Sequence, residues 1–170
     1  FGHIDILVNN AGINIPQQAV DVSEEAWNKI IDTNLKGPFF CAQAAGRVMI
    51  HQKKGKIINV SSDAGSVGLP QRAAYCSSKG GVDLLTKVLA IEWAQYNINV
   101  NAIAPTFIET PFTKPMFEKE GFREYALRNI PVGRIGVPQD VVGAVIFLAS
   151  EASNMVTGHV LMVDGGWTAQ

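Results

Sequence analysis

Short apolar runs bounded by turn residues recur along the chain, and between them lie longer stretches whose apolar positions return with a helical period. That alternation predicts strands alternating with helices, hence a parallel sheet flanked by helices. Residues 4–9 (IDILVN) read as a buried strand ending in the turn Asn9-Asn10-Ala11-Gly12. Ser23 is placed to cap a helix, with Glu24 and Glu25 in the first turn where the helix dipole favours negative charge. A second helix runs to about residue 52. Residues 56–61 (KIINVS) predict the next strand, residues 73–95 a long helix and residues 98–104 (INVNAIA) a third strand. Residues 113–128 are polar and mixed, with Met116, Phe117 and Phe122 as apolar members. Pro138 opens a helix through Ser150, since proline is tolerated in a first turn. Residues 160–163 (VLMV) give a last short strand before Asp164-Gly165-Gly166.

In an open sheet of this kind ligands bind beyond the carboxyl ends of the strands. The first three strands end in Asn10-Ala11-Gly12, Ser61-Ser62 and Pro105-Thr106, so three polar or glycine-containing turns converge on one edge. The helix after the second strand carries Tyr75 and Lys79 near its start, four residues apart and therefore on one face. A cation about 4 Å from a phenol is worth roughly 4 kcal/mol at an effective dielectric near 20. That is enough to lower the phenol's pKa from its ordinary ~10 by as much as ~3, into the range of a general acid or base. The same spacing also suits a buried ring beside a snorkelling amine, and spacing alone does not choose between them. In residues 32–40 (DTNLKGPFF), Pro38 has no N–H for the carbonyl of Asn34, so the helix should kink there. Either the freed carbonyl holds a water or the kink fits the helix to the sheet.

Composition narrows the function classes. With 170 residues, 47% hydrophobic content and a net charge of −1, the chain can build one sizeable core, and its balance argues against a nucleic-acid partner. No apolar run reaches the ~18 residues that span a bilayer, and residues 1–20 lack a signal-peptide layout. The expectation is a cytoplasmic protein with no membrane partner. Cys41 and Cys76 form no CxxC pair and read as packing residues. His3, His51 and His159 fall in no metal-binding pattern, and neither a GxSxG elbow nor a GxxxxGKS/T loop occurs.

Six ordered motifs span the whole chain: VNNAG at residues 8–12, Asn34 within NLKG, VSSDAG at 60–65, the Tyr75–Lys79 pair, NAIAPTFIET at 101–110, and VTGHVLMVDGG at 156–166. Together they resemble the short-chain dehydrogenase/reductase family. The resemblance implies an α/β, Rossmann-like, doubly wound parallel sheet with helices on both faces, as a single domain over residues 1–170. It implies NAD or NADP as cofactor and hydride transfer between the nicotinamide and a carbonyl or secondary alcohol. Tyr75 would be the acid/base. Ser62 would polarise the carbonyl, chosen over Ser61 because it stands thirteen positions before Tyr75. Lys79 would lower the Tyr75 pKa and hold the nicotinamide ribose, and Asn34 would place a relay water through its main chain. Asn10, Ala11, Gly12, Pro105, the Ile108 backbone and the Thr110 hydroxyl would line the cofactor.

Residues 113–128 correspond to a substrate lid. A sugar, polyol or sugar acid is the favoured substrate, with a 3-oxoacyl thioester as the alternative and a non-catalytic scaffold subunit as a rival of another class. A homo-oligomer, dimer or tetramer, is implied, and Ser77, Ser78, Gly80 and Gly81 would admit a neighbouring helix, though such residues also suit packing within one subunit. Two departures stand out. Thr106 occupies a position where the family usually has glycine, and should tighten the pocket beside the nicotinamide. The family's TGxxxGxG loop and first strands, which separate NAD from NADP users, precede the segment matched here. The chain is therefore expected to be the C-terminal portion of a longer enzyme, with its N-terminal βαβ portion absent, an apolar sheet edge at its first strand, and poor folding alone.

Overall fold

Four strands lie side by side in chain order, β1 (Ile6–Asn9), β2 (Gly55–Val60), β3 (Ile98–Pro105) and β4 (Val160–Val163), and every pair is parallel. Parallel neighbours need long crossovers, and helices supply them. The computed structural model describes residues 2–170, with α1 (Glu24–Ile31), α2 (Gly37–Gln52), α3 (Ala73–Trp93), α4 (Lys114–Phe117), α5 (Phe122–Asn129) and α6 (Pro138–Ala149). Phe1 lies outside the described residues.

Strand side chains alternate between faces, and the two faces of this sheet bury different helices. Ile57, Ile98 and Val100 meet Ala42, Ala45 and Met49 of α2 and Leu89 and Ala90 of α3. Ile58 and Ile103 point the other way, onto Leu148, Val141 and Val145 of α6. The sheet is thus covered on both faces, as the doubly wound expectation required. A buried polar chain fixes the register of the first face. Asn9 Nδ2 donates to Asn59 Oδ1 at 2.9 Å, Asn59 Nδ2 to Thr86 Oγ1 at 2.9 Å, and Thr86 Oγ1 to the Val82 carbonyl at 2.8 Å. Each buried polar atom in that chain has a partner, so its burial is tolerated.

Element boundaries follow local chemistry. The Ser23 hydroxyl caps α1 by accepting from Ala26 N–H at 3.2 Å. β1 begins at Ile6 rather than residue 4, because both backbone groups of Ile4 pair with the Gln52 side chain at 2.8 Å instead of the sheet. α3 stops at Trp93, and a short 3-10 turn (Ala94–Tyr96) leads to Asn97, whose left-handed φ of 55° reverses the chain into β3. β1 pairs only with β2, and its Ile6 and Val8 are 47% and 41% exposed, which matches the expected apolar edge.

Met49 is fully buried between α2 and the start of β2. Met49→Ala should therefore lower unfolding free energy by about 2–5 kcal/mol, read from denaturant midpoints at unchanged m-value. A loss below ~1 kcal/mol would contradict this packing.

Candidate functional site

A cavity of about 770 Å³ opens at the carboxyl ends of β1, β2 and β3, where the turn residues were expected to converge. Asn10, Gly12, Ser62, Tyr75, Lys79, Pro105, Ile108 and Thr110 all line it. Ala11 is exposed and does not line it. Asn34 is buried behind it at 1% exposure.

Asn34 acts through its side chain. Its Oδ1 accepts from Ile13 N–H at 2.8 Å and its Nδ2 donates to the Ile13 carbonyl at 2.9 Å. The same Nδ2 donates to Ser78 Oγ at 3.1 Å, and Ser78 Oγ donates to the Tyr75 carbonyl at 2.7 Å. The turn after β1 is thereby fastened to α3. The expected proline kink takes the form of a π turn over Asp32–Lys36, closed by Gly37 N–H to the Asp32 carbonyl. Pro38 sits just beyond it, where the helical register has already shifted, so its missing N–H falls at a break and not within a regular ladder.

Ser62 follows β2 by two residues and caps a 3-10 turn (Asp63–Gly65) by accepting from Ala64 N–H at 3.2 Å. Gly65 lets that turn lie directly on α3, since a Cβ there would stand 3.1 Å from the Lys79 carbonyl carbon and collide with Asp83. The loop carrying Ser62 and the helix carrying Tyr75 are held together by this contact. Lys79 is 4% exposed and donates to the Val60 carbonyl at 2.7 Å. Burial pulls its ammonium down to about 8, with Asp83 opposing the fall.

The electrostatics correct one expectation. Lys79 Nζ lies 5.7 Å from the Tyr75 ring centroid and its short hydrogen bond goes to Val60. Desolvation dominates at Tyr75 and pushes the phenol above its ordinary value, while the Ser62 hydroxyl and Arg72 oppose that shift. Burial thus favours the protonated phenol at Tyr75, opposite to the lowering expected from Lys79.

The loop after β3 is stapled in place. Ile108 bridges to Gly136, the Thr113 hydroxyl donates to the Ile108 carbonyl, and Thr110 N–H donates to Thr113 Oγ1 at 3.0 Å. Phe107 anchors the following segment, with Phe122 at 5.1 Å and Trp167 at 5.5 Å edge-on to its ring. α4 and α5 thus sit on an aromatic base, and Thr113 and Met116 of residues 113–128 line the cavity. Arg72 Nη2 reaches Met116 Sδ at 4.0 Å across the opening.

Sequence reasoning passed over Asp63, Arg72 and the apolar wall from Val141, Val142, Val145 and Ile146 of α6. Asp63 was signalled by its place beside Ser62. The α6 residues had no signal, because a helix facing a cavity shows the same period as one facing core.

A nicotinamide cofactor fits what is present. A Cβ at Gly12 would stand 3.6 Å from Lys79 Nζ and 3.7 Å from Asn34 Oδ1, so glycine leaves the approach to the amine open. Polar turns on one wall and aliphatic α6 side chains on the other suit a molecule with a flat ring and a hydroxylated ribose.

The family described as enoyl-(acyl carrier protein) reductase matches residues 1–168. The chain is 46% identical over 168 residues to an NAD-dependent glycerol dehydrogenase of Listeria innocua, covering 99% of this chain and 66% of that protein. It is 49% identical to a 3-oxoacyl-(acyl-carrier-protein) reductase of Thermotoga maritima, covering 98% and 67%. The crystal structure of a gluconate 5-dehydrogenase from Burkholderia cenocepacia in complex with NADP and tartrate superposes with a TM-score of 0.97 at 40% identity, covering 99% of this chain and 66% of that one. Further relatives include gluconate and keto-gluconate oxidoreductases. The chain spans about two thirds of the length of these relatives. With this breadth of match and a parallel sheet whose strand-end turns meet Tyr75 and Lys79, the chain belongs to the short-chain dehydrogenase/reductase family.

Proposed function

We propose that this chain carries the substrate and nicotinamide end of an NAD(P)-dependent oxidoreductase acting on the carbonyl or secondary alcohol of a sugar, polyol or sugar acid. The observation that carries the reading is the presence of Ser62, Tyr75 and Lys79 around one cavity at the strand ends. Bound there, the nicotinamide supplies or accepts the hydride. Tyr75 gives its phenolic proton to the substrate oxygen during reduction and takes it back during oxidation. A phenol held protonated by burial suits the first role directly. Ser62 holds the same oxygen as charge develops on it. Lys79, with an ammonium near 8, would hold the ribose hydroxyls of the cofactor and return the proton towards solvent, and the Asn34 main chain would place the relay water.

Support for a sugar acid comes from the relatives that act on gluconate and keto-gluconates. The 3-oxoacyl thioester reading rests on the Thermotoga relative. A scaffold role would not need Ser62, Tyr75 and Lys79 around one cavity. Residues 113–128 act as the substrate lid, tied to Arg72 through Met116. The full enzyme is a homo-oligomer in this reading, because Leu84, Val88 and Ile91 leave an apolar outer face on α3 at 64%, 50% and 80% exposure. Free Cys41 and Cys76 accord with a cytoplasmic location. No described helix is long and apolar enough to cross a membrane.

Tyr75→Phe in the active enzyme should lower kcat for hydride transfer by roughly 10²–10⁴-fold with substrate binding retained; undiminished turnover would refute the mechanism. Lys79 gives a second test through stability. Its folded pKa, about 8, lies below the unfolded value, so the folded state disfavours the charged amine. The destabilisation is complete below pH 8 and is relieved as pH rises towards 10, since the unfolded chain then binds the proton that the folded one has lost. Unfolding free energy of the wild type relative to Lys79→Met should therefore climb across that window, and a flat difference would contradict the buried environment of Lys79.

A further inference from the structure

One cation in the cavity has no anion. Lys79 and Arg72 are the two basic residues that line it, and Lys79 is committed to the Val60 carbonyl at 2.7 Å. Arg72 has no such commitment. Its guanidinium enters no ion pair among the described residues, and its single side-chain hydrogen bond runs from Nη2 to Met116 Sδ at 4.0 Å. A thioether is a weak acceptor for a group with five N–H donors. Nε and Nη1 make no hydrogen bond at all, and unlike the enclosed unpaired oxygens of the chain they keep surface open to solvent. Asp63, the one acidic residue lining the cavity, does not pair with Arg72: it accepts from Ser62 Oγ at 2.8 Å and from Ala64 N–H at 2.7 Å.

The backbone fixes where this cation stands. Gln71 holds a left-handed φ of 62°, uncommon for a residue with a side chain, and its carbonyl accepts from Gln17 N–H at 3.1 Å, so the loop after β1 secures the turn. Arg72 follows as the residue that opens α3, three positions before Tyr75. Its charge is felt at the phenol, where it opposes the upward shift. Leu69 and Met116, which share the cavity wall with it, rest on the aromatic base around Phe107. A half-buried charge on such a wall is costly unless an anion completes it. The planar guanidinium fork matches a carboxylate with two parallel bonds. Met116 belongs to the segment over the substrate end, so the anion comes with the substrate and not with the nicotinamide ribose, which falls to Lys79.

We propose that Arg72 receives a carboxylate of the substrate while Ser62 and Tyr75 address its reacting C–O. The site thereby selects keto acids and hydroxy acids over neutral sugars and polyols. This rests on the hydride-transfer reading above and sharpens it, because that reading admits acid and polyol alike.

The test compares kcat/KM for 5-keto-gluconate and for its C1 carboxamide, which keeps every hydroxyl and loses the charge, in the active holoenzyme. The wild type should prefer the acid by roughly 10- to 100-fold, chiefly through KM. Arg72→Met should remove most of that preference, and Arg72→Lys, which keeps the charge without the fork, should restore part of it. Arg72→Gln gives the same comparison should Arg72→Met not fold. A wild type indifferent to the charge, or a preference unchanged without the guanidinium, would overturn the inference alone. So would an equal fall on both compounds, the result expected if Arg72 acted only through Tyr75. An enzyme that turns over 3-oxoacyl thioesters and neither keto compound would overturn the functional reading as well.

Discussion

The site depends on the side chain of Asn34. Its carboxamide pairs with both backbone groups of Ile13, as a neighbouring strand would, and passes a further hydrogen bond to Ser78 on α3. Three segments distant in sequence meet there: the turn after β1, the π turn leading into α2, and the first turns of α3. Ser78 then donates to the Tyr75 carbonyl, so the position of the tyrosine is linked to the turn that carries Asn10 and Gly12. Removing the carboxamide would leave partly buried backbone groups of Ile13 without these partners, which costs more than the net value of the bonds wherever water cannot replace them.

Burial, more than charge pairing, sets the chemistry around that junction. Lys79 and Tyr75 are both shifted towards their neutral forms, chiefly by desolvation. Simple Coulomb attraction between the two would have lowered the phenol, but the ammonium points to the Val60 carbonyl and keeps its distance. Taking both groups out of water penalises their charged forms, and no direct contact between them offsets that penalty. The same low-dielectric setting strengthens the bonds that remain, including Ser62 to Asp63.

Much of this was legible in the chain. The two periods separated strands from helices, β4 fell at residues 160–163 as read, and the strand-end turns converged on one cavity. The long α3 came out two residues short of the pattern because a 3-10 turn and a left-handed Asn97 end it, and such endings leave no periodic trace. Pro38 announced an irregularity without revealing that it would be a π turn. Asn34 was marked by its proximity to that proline, yet the work of its side chain depends on Ile13 and Ser78, which no sequence spacing brings near it. The direction of the Tyr75 shift was misread for a related reason. A one-dimensional spacing gives the distance between two groups but not the desolvation each suffers. Asp63 stood in plain view beside Ser62, and only the burial of its second oxygen distinguishes it from a turn residue.

Amide hydrogen exchange at Ile13, compared between the wild type and Asn34→Ala, tests the central claim most directly. If the Asn34 carboxamide holds the β1 turn against α3, exchange at Ile13 should accelerate by at least roughly tenfold, with faster exchange also in the first turns of α3. Equal protection in the two proteins would show that the site is held together by something else.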